Sequence, residues 1–351
     1  MKEGWKYSTI GECCDVNYGT RVVRSQVQGN EYPVYGGGGE TFRMDNYNRE
    51  SILVVARFAM SKQCTRFVEG RFFLNDSGLT VSPKENTTLT QALLNKYLLA
   101  SNDLIFSMGR GSAQRNLNMN EFRNLKVSYP ETVSEQQRIV EYLDSAFAKI
   151  DALKAKAKEN LDNAQALFQA ALTEKMTPKE GWEKMILIKE FSLKSGENLS
   201  SRNQMQGSYP VYGGNGITGY HNEYNVSNSC IVIGRVGALC GNIHITEPLS
   251  WVTDNAFIVK GVSDKWFFKF LYYELIYLNL NQYASQTAQP VISNKSMKDV
   301  AIFCPPLVEQ EEVSKNIEYL EKLIYKVRVN FETISTECDA LKQALLKQIF
   351  E

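Results

Sequence analysis

Net charge is what this sequence most plainly lacks: Lys plus Arg and Asp plus Glu are 39 each among 351 residues. Composition therefore gives no global basic field, and any grip on a polyanion has to come from local placement. Histidine is nearly missing. His221 and His244 are the two, and their spacing is not that of metal ligands. The seven cysteines (Cys13, Cys14, Cys64, Cys230, Cys240, Cys304 and Cys338) are scattered, odd in number and without a C-x-x-C pair. That argues against a disulfide frame and a structural zinc and suits a reducing cytosol. No apolar run is long enough to span a bilayer. The most apolar segment, 266–278, is interrupted by Lys269 and Glu274. Residues 1–9 are polar and lack the apolar stretch of a signal peptide, so a cytoplasmic location is expected. Catalytic motifs are missing too. There is no G-x-x-x-x-G-K-[ST] loop, and Pro305-Pro306 is flanked by Cys304 and Leu307, the wrong neighbours for a methyltransferase motif. No Cys/His/Asp set or carboxylate cluster stands out, and no intrinsic catalysis is expected.

What is present is a repeat. Tyr32-Pro33-Val34-Tyr35-Gly36-Gly37 recurs as Tyr209-Pro210-Val211-Tyr212-Gly213-Gly214, an offset of 177. The same offset pairs Gly4-Trp5 with Gly181-Trp182, Gly19 with Gly196 and Tyr47-Asn48 with Tyr224-Asn225. One residue further on, 51–57 (SILVVAR) lies opposite 229–235 (SCIVIGR), and Asp76 opposite Asp254. Later stations pair Ala113-Gln114 with Ala288-Gln289 and Glu135-Gln136 with Glu309-Gln310. Such order over nearly the whole chain marks an internal duplication.

Each copy splits into a mixed α/β part and a long helix. Residues 52–56 and 231–233 have buried-strand length and β-branching, and 80–81 and 257–259 read as further strands. Residues 36–39 and 213–216 read as tight glycine turns, and 93–99 and 266–278 as helices. The repeat predicts mixed α/β domains over 1–134 and 178–308, and helices over 135–177 and 309–351. A heptad seam is expected, with Leu143, Ile150, Leu153 and Leu167 on the first helix and Ile317, Leu320, Ile324, Phe331 and Leu341 on the second. The first seam is rich in Ala and the second in large side chains, which suits a close two-helix contact. The expected fold class is α+β: two pseudo-symmetric mixed α/β domains separated by two long helices forming an antiparallel coiled coil.

These features resemble the specificity (S) subunits of type I restriction-modification systems. The resemblance rests on the Tyr-Pro-Val-Tyr-Gly-Gly turn, the apolar-Gly-Arg-x-Gly stretch ending at Gly237, and Thr253-Asp254-Asn255-Ala256-Phe257. It also rests on the Gln-containing stretch before each helix and the Pro-to-Glu-Gln lead-ins ending at Gln136 and Gln310. It covers essentially all 351 residues. It implies two target-recognition domains, a bipartite double-stranded DNA target, and methyltransferase subunits docked on the helices, with restriction subunits joining them. It implies no cofactor in this chain, SAM and ATP belonging to the partner subunits. The first copy departs from the pattern, with Ala56-Arg57-Phe58-Ala59 against Gly234-Arg235-Val236-Gly237 and Asp76-Ser77-Gly78 against Asp254-Asn255-Ala256.

Bases are read by Arg, Lys, Asn and Gln, and phosphates also accept from backbone N–H groups. Arg57 and Arg235 close equivalent strands. Either they project toward DNA or they pair with Asp76 and Asp254. The turn residues Gly37, Gly38, Gly214 and Asn215 either offer N–H groups to a phosphate or simply turn the chain. Arg110, Ser112, Gln114, Arg115 and Asn116 form the richest loop of the first domain, and Gln286, Thr287 and Gln289 are its counterpart. Lys62, Tyr220, His221 and Asn242 complete the candidate set. Charge divides as +3 over 1–134 (16 basic, 13 acidic), +1 over 177–308 (11 and 10) and −4 over the helical segments (12 and 16). The isolated chain should therefore hold DNA weakly. The alternative is a duplicated, non-catalytic scaffold for another ligand, which the 18 tyrosines would suit.

Overall fold

The computed structural model describes residues 2–200, 202–285 and 288–351. The chain divides into two compact units, Met1–Ala157 with Phe331–Glu351, and Lys158–Asn330.

Unit 1 is built on six strands: β1 (Cys14–Tyr18), β2 (Tyr32–Gly36), β3 (Gly39–Met44), β4 (Arg49–Ala56), β5 (Thr65–Leu74) and β6 (Gly78–Pro83). Their order is β1-β6-β4-β5-β2-β3. β4 is central because Leu53, Val54, Val55 and Ala56 are all buried. Its side chains alternate between two apolar layers, as a pleated strand requires. Leu53 and Val55 face a large core with Leu79, Val81 and the helix α1 (Gln91–Ala100), while Val54 faces a smaller one with Val68, Phe72 and Leu74. Each such side chain stabilises by about 1.5–3 kcal/mol on burial. α1 starts where Thr90 caps it, its side chain accepting from Leu93 N–H.

Unit 2 repeats the plan with β7 (Ser192–Ser195), β8 (Tyr209–Gly213), β9 (Gly216–His221), β10 (Ile231–Gly234), β11 (Ile243–Ile245), β12 (Trp251–Val252) and β13 (Ala256–Lys260). Ile231 and Ile233 face the large core, and Val232 the small one. One difference stands out. The ten-residue β5 has two short counterparts, β11 and β12, so one sheet becomes a four-stranded β7-β13-β10-β11 and a three-stranded β9-β8-β12. The break holds Pro248, which cannot donate to a ladder, and Leu249 at φ 54°. The apolar segment expected as a helix over 266–278 is one over the shorter span Phe268–Tyr277, labelled α3 below.

Side-chain-to-backbone hydrogen bonds, as well as residues, recur within each unit. Asn48 Nδ2 donates to Leu74 O (3.1 Å) and Asn48 Oδ1 accepts from Leu74 N (2.7 Å). Asn225 does the same with Val252, at 2.9 and 2.8 Å. The repeated Gly19 and Gly196 lie so close to neighbouring backbone that an added Cβ would stand 1.9 Å from Asn75 O and 2.3 Å from Val252 O.

Two helices of 44 residues each complete the chain: α2 (Val133–Met176) and α4 (Leu307–Phe350), numbered either side of α3 (Phe268–Tyr277). Neither contains Gly or Pro. In unit 1 they run antiparallel: Leu143 shares a core with Leu346, and Cys338 Sγ donates toward Ile150 O at 3.8 Å. In unit 2 the end of α2, at Leu172 and Met176, meets the start of α4, at Val313 and Ile317.

The expected seam is corrected at three places. Leu143, Ile150 and Ile317 are buried and Leu320, Ile324 and Phe331 half-buried, but Leu153, Leu167 and Leu341 are 57%, 72% and 51% exposed. On α2 the inward positions run Leu143, Ala146, Ile150, Lys154, Ala157, Leu161, Ala164 and Phe168. On α4 they run Phe331, Ile334, Cys338, Lys342 and Leu345. Each helix takes a 3-4-4 step once, an eleven-residue period closer to the 3.6 residues per turn of a straight helix than the strict 3.5 repeat is. The two slips lie opposite each other. They place Lys154 and Lys342 inward, where Lys154 pairs with Asp339 at 2.9 Å and Lys342 with Asp151 at 2.5 Å. Their aliphatic stems cover the apolar contact while the ammonium groups reach the rim.

Where each unit meets its long helix, one buried glutamine does the joining. Gln136 Oε1 accepts from Thr90 N (2.8 Å) and its Nε2 donates to Thr88 O and Pro130 O (2.9 and 2.8 Å). Gln310 Oε1 accepts from Phe267 N (2.7 Å) and its Nε2 donates to Lys265 O and Pro305 O (both 2.8 Å). The glutamine of each repeated Glu-Gln pair is thus explained by backbone groups that would otherwise be buried without partners.

Candidate nucleic-acid interface

In unit 1 four segments meet at one end of the large sheet. The β2–β3 turn, Gly37-Gly38, is held by Gly37 N–H donating to Ser77 Oγ at 3.0 Å. Gly37 is required there, since a Cβ would stand 2.8 Å from Phe58 O. The loop after β4 is fixed by Arg57 N donating to Ser77 O at 2.8 Å. The third segment, 110–117, joins it through Leu117 N to Arg57 O (2.8 Å) and Met60 N to Arg115 O (2.9 Å). Tyr18, at the end of β1 and 40% exposed, is the fourth.

Unit 2 assembles its counterpart with the same bonds. Arg235 N donates to Asn255 O (2.8 Å), Ile292 N to Arg235 O (2.9 Å), and Gly237 N to Pro290 O (2.9 Å). A groove of about 510 Å³ opens between the Gly214-Asn215 turn and the loop 236–239, with Thr253 and Asn255 at its floor. A polar, glycine-lined edge with exposed amides is suited to hydrogen-bonding base edges or phosphates.

The side chains expected at this edge have several fates. Ser112, Gln114, Lys62, Gly38 and Gln289 are exposed there or beside it. Asn116 is half-buried and accepts from Ala59 N at 3.4 Å. Arg115 lies over the Phe106 ring at 4.5 Å, its Nε buried without a partner. Arg110 is held in an exposed ion pair: its Nη2 donates to both carboxylate oxygens of Glu121, at 2.6 and 2.8 Å, and Nη1 to Ser107 O. Asn215 and Asn242 hydrogen-bond each other at 2.7 Å, and Tyr220 is exposed. His221 is corrected. It is only 4% exposed, its Nδ1 accepts from Met205 N, and its ring packs edge-on against Trp251. It clamps the loop before β8 and has no surface to offer a ligand. Gln286 and Thr287 lie outside the described residues.

Neither arginine at the strand end pairs with the neighbouring aspartate. Arg235 Nη1 donates to Ser195 Oγ (3.2 Å) and to the backbone carbonyl of Asp254 (3.4 Å), and its Cζ lies 5.1 Å over the Phe257 ring. Arg57 instead lies over the rings of Tyr18 (4.6 Å) and Phe58 (4.5 Å). Tyr18 and Phe58 were not singled out by sequence. The available signal was the residue before the repeated glycine, Tyr18 in one copy and Ser195 in the other.

Among the described residues no group of three or more His, Cys, Asp or Glu could hold a metal ion, and no helix is long and apolar enough to cross a membrane.

The family described as type I restriction modification DNA specificity domain matches residues 2–163 and 179–330. The type I restriction enzyme EcoprrI specificity subunit of Escherichia coli is 33% identical over 132 residues, 37% of this chain but 32% of that subunit, so the match spans about a third of its length. A chain from a structure concerning complex assembly and conformational transition of the type I R-M system superposes with a TM-score of 0.72 at 17% identity, covering 99% of this chain and 98% of its own. A type I restriction-modification S subunit from M. genitalium covers 99% of this chain and 96% of its own at 18% identity and a TM-score of 0.46. The duplicated sheets and twin glutamine joints agree with a family match that falls once on each copy: the chain belongs to the type I restriction modification DNA specificity domain family.

Proposed function

We propose that this chain is the specificity subunit of a type I restriction-modification complex, a non-catalytic protein that recognises a bipartite double-stranded DNA target. In this reading the segments 1–134 and 178–308 are target-recognition domains, each reading one half-site. The helical segments 135–177 and 309–351 are the spacer on which methyltransferase subunits dock. SAM and ATP are bound by partner subunits, and cleavage follows when a restriction subunit joins.

One observation carries the proposal. The same backbone frame, Arg57 N to Ser77 O with Leu117 N to Arg57 O and Arg235 N to Asn255 O with Ile292 N to Arg235 O, holds unlike side chains at the same edge of each unit. Identical scaffold with divergent edge residues is what two different half-sites require. The near-neutral charge means that partner subunits provide much of the phosphate grip.

The test is reconstitution. The purified chain alone is expected to bind no SAM. Combined with its cognate methyltransferase subunit, it is expected to direct SAM-dependent methylation to one sequence class. A complex that methylates without sequence preference would refute the proposal and favour the scaffold reading.

A further inference from the structure

Arg57 and Arg235 occupy one position in the repeat but are held differently, and the cause is visible one strand away. In the ladders, Tyr18 stands opposite Leu79 and Ser195 opposite Phe257, while Leu79 and Phe257 stand opposite Val55 and Ile233 on the strands that end at the two arginines. In unit 2 the ring is on the inner strand, at Phe257, and a hydroxyl is beside it, at Ser195. Arg235 stacks on the first and donates Nη1 to the second and to Asp254 O, which ties its fork to the unit 2 loop, while its Nε is buried without a partner. In unit 1 the inner position is aliphatic Leu79 and the outer one is Tyr18. Arg57 turns to the rings of Tyr18 and Phe58, and its guanidinium makes no hydrogen bond among the described residues.

An aromatic ring restrains a guanidinium without using its N–H donors. A half-buried arginine so held, beside the Gly37-Gly38 turn and the 110–117 loop, keeps its planar fork for a ligand. The preferred partner of such a fork on duplex DNA is the O6/N7 edge of guanine.

Resting on the specificity-subunit reading above, we propose that Arg57 is a base-reading residue of unit 1, positioned by Tyr18 and selecting a guanine in one half-site, whereas Arg235 is a brace of the unit 2 loop and reads no base. One inherited position then reads a base in one half-site and none in the other.

The test uses the complex of the full chain with its methyltransferase subunits and a randomised duplex library, scored by methylation. Wild type is expected to yield two half-sites, one with an invariant guanine. Arg57→Ala is expected to relax that position roughly tenfold to a hundredfold and leave the other half-site intact, which also reports that the chain is folded. Arg57→Lys, which keeps the charge but not the planar fork, should give a smaller loss at the same base. Tyr18→Ser, which supplies the acceptor that occupies Arg235, should relax it as well.

Unchanged preference in Arg57→Ala would overturn the inference. So would a uniform loss over all sequences with the salt slope reduced by about one, the signature of a phosphate contact. Should Arg57→Ala lose both half-sites, the lysine and serine variants decide by the same criterion. If wild type shows no sequence preference, the specificity-subunit reading has failed and this inference falls with it.

Discussion

Gln136 and Gln310 do the same work in the two units: each buried amide accepts one backbone N–H and donates to two backbone carbonyls, one just before a short domain helix and one just before a long helix. Removing either leaves three buried polar groups without partners, and each such group costs about 1–3 kcal/mol. Gln136→Ala should therefore lower the urea midpoint by at least the equivalent of about 2 kcal/mol. Its exposed neighbour Gln137, bonded only to Glu141, should tolerate Ala within about 0.5 kcal/mol. Equal effects would mean that the joint is not a determinant of stability.

The shifted helix seam makes a contrasting pair of predictions. Leu143→Ala removes a fully buried side chain and should cost about 2–5 kcal/mol. Leu167→Ala, at a position that a strict heptad would bury, should cost under about 0.5 kcal/mol. Thermal melts of the two variants distinguish the slipped seam from the regular one.

Glu274 gives a pH dependence. It is fully buried in α3, Oε1 accepts from Phe303 N at 2.9 Å, and Oε2 has no partner. Burial raises its pKa from 4.5 to about 7. The folded state then binds the proton more tightly than the unfolded one. Stability contributed by this group is full below about pH 4.5 and declines as pH rises through 7, by a total on the order of 3 kcal/mol. Glu274→Gln, which mimics the protonated form, should be more stable than wild type at pH 8, the advantage shrinking as pH falls toward 4.5. A pH-independent difference in denaturation midpoint would contradict this assignment.

The repeat was readable because its strongest stations are glycines and apolar strand residues, whose roles are local. Gly19 and Gly196 are needed where backbone approaches backbone, and Leu53, Val55, Ile231 and Ile233 alternate as strands must. The helices were readable for the same reason. Their inward face was not, because a 3-4-4 step looks like noise in a heptad count until Lys154 is seen paired with Asp339 and Lys342 with Asp151 across it. Least readable was the edge itself. Arg110, His221 and Arg235 have the right chemistry for a ligand, but Glu121, Met205 and Ser195 reach them only through the fold. What distinguishes Arg57 from Arg235 lies about 40 residues away in sequence and one ladder away in space.

The most direct test of the central claim is the methylome of the host with the gene for this chain intact and deleted. The account predicts a bipartite methylated motif, two short specified halves separated by unspecified bases, present in the first strain and absent from the second. A methylome unchanged by the deletion, in a strain whose cognate methyltransferase subunit is expressed and active, would contradict it.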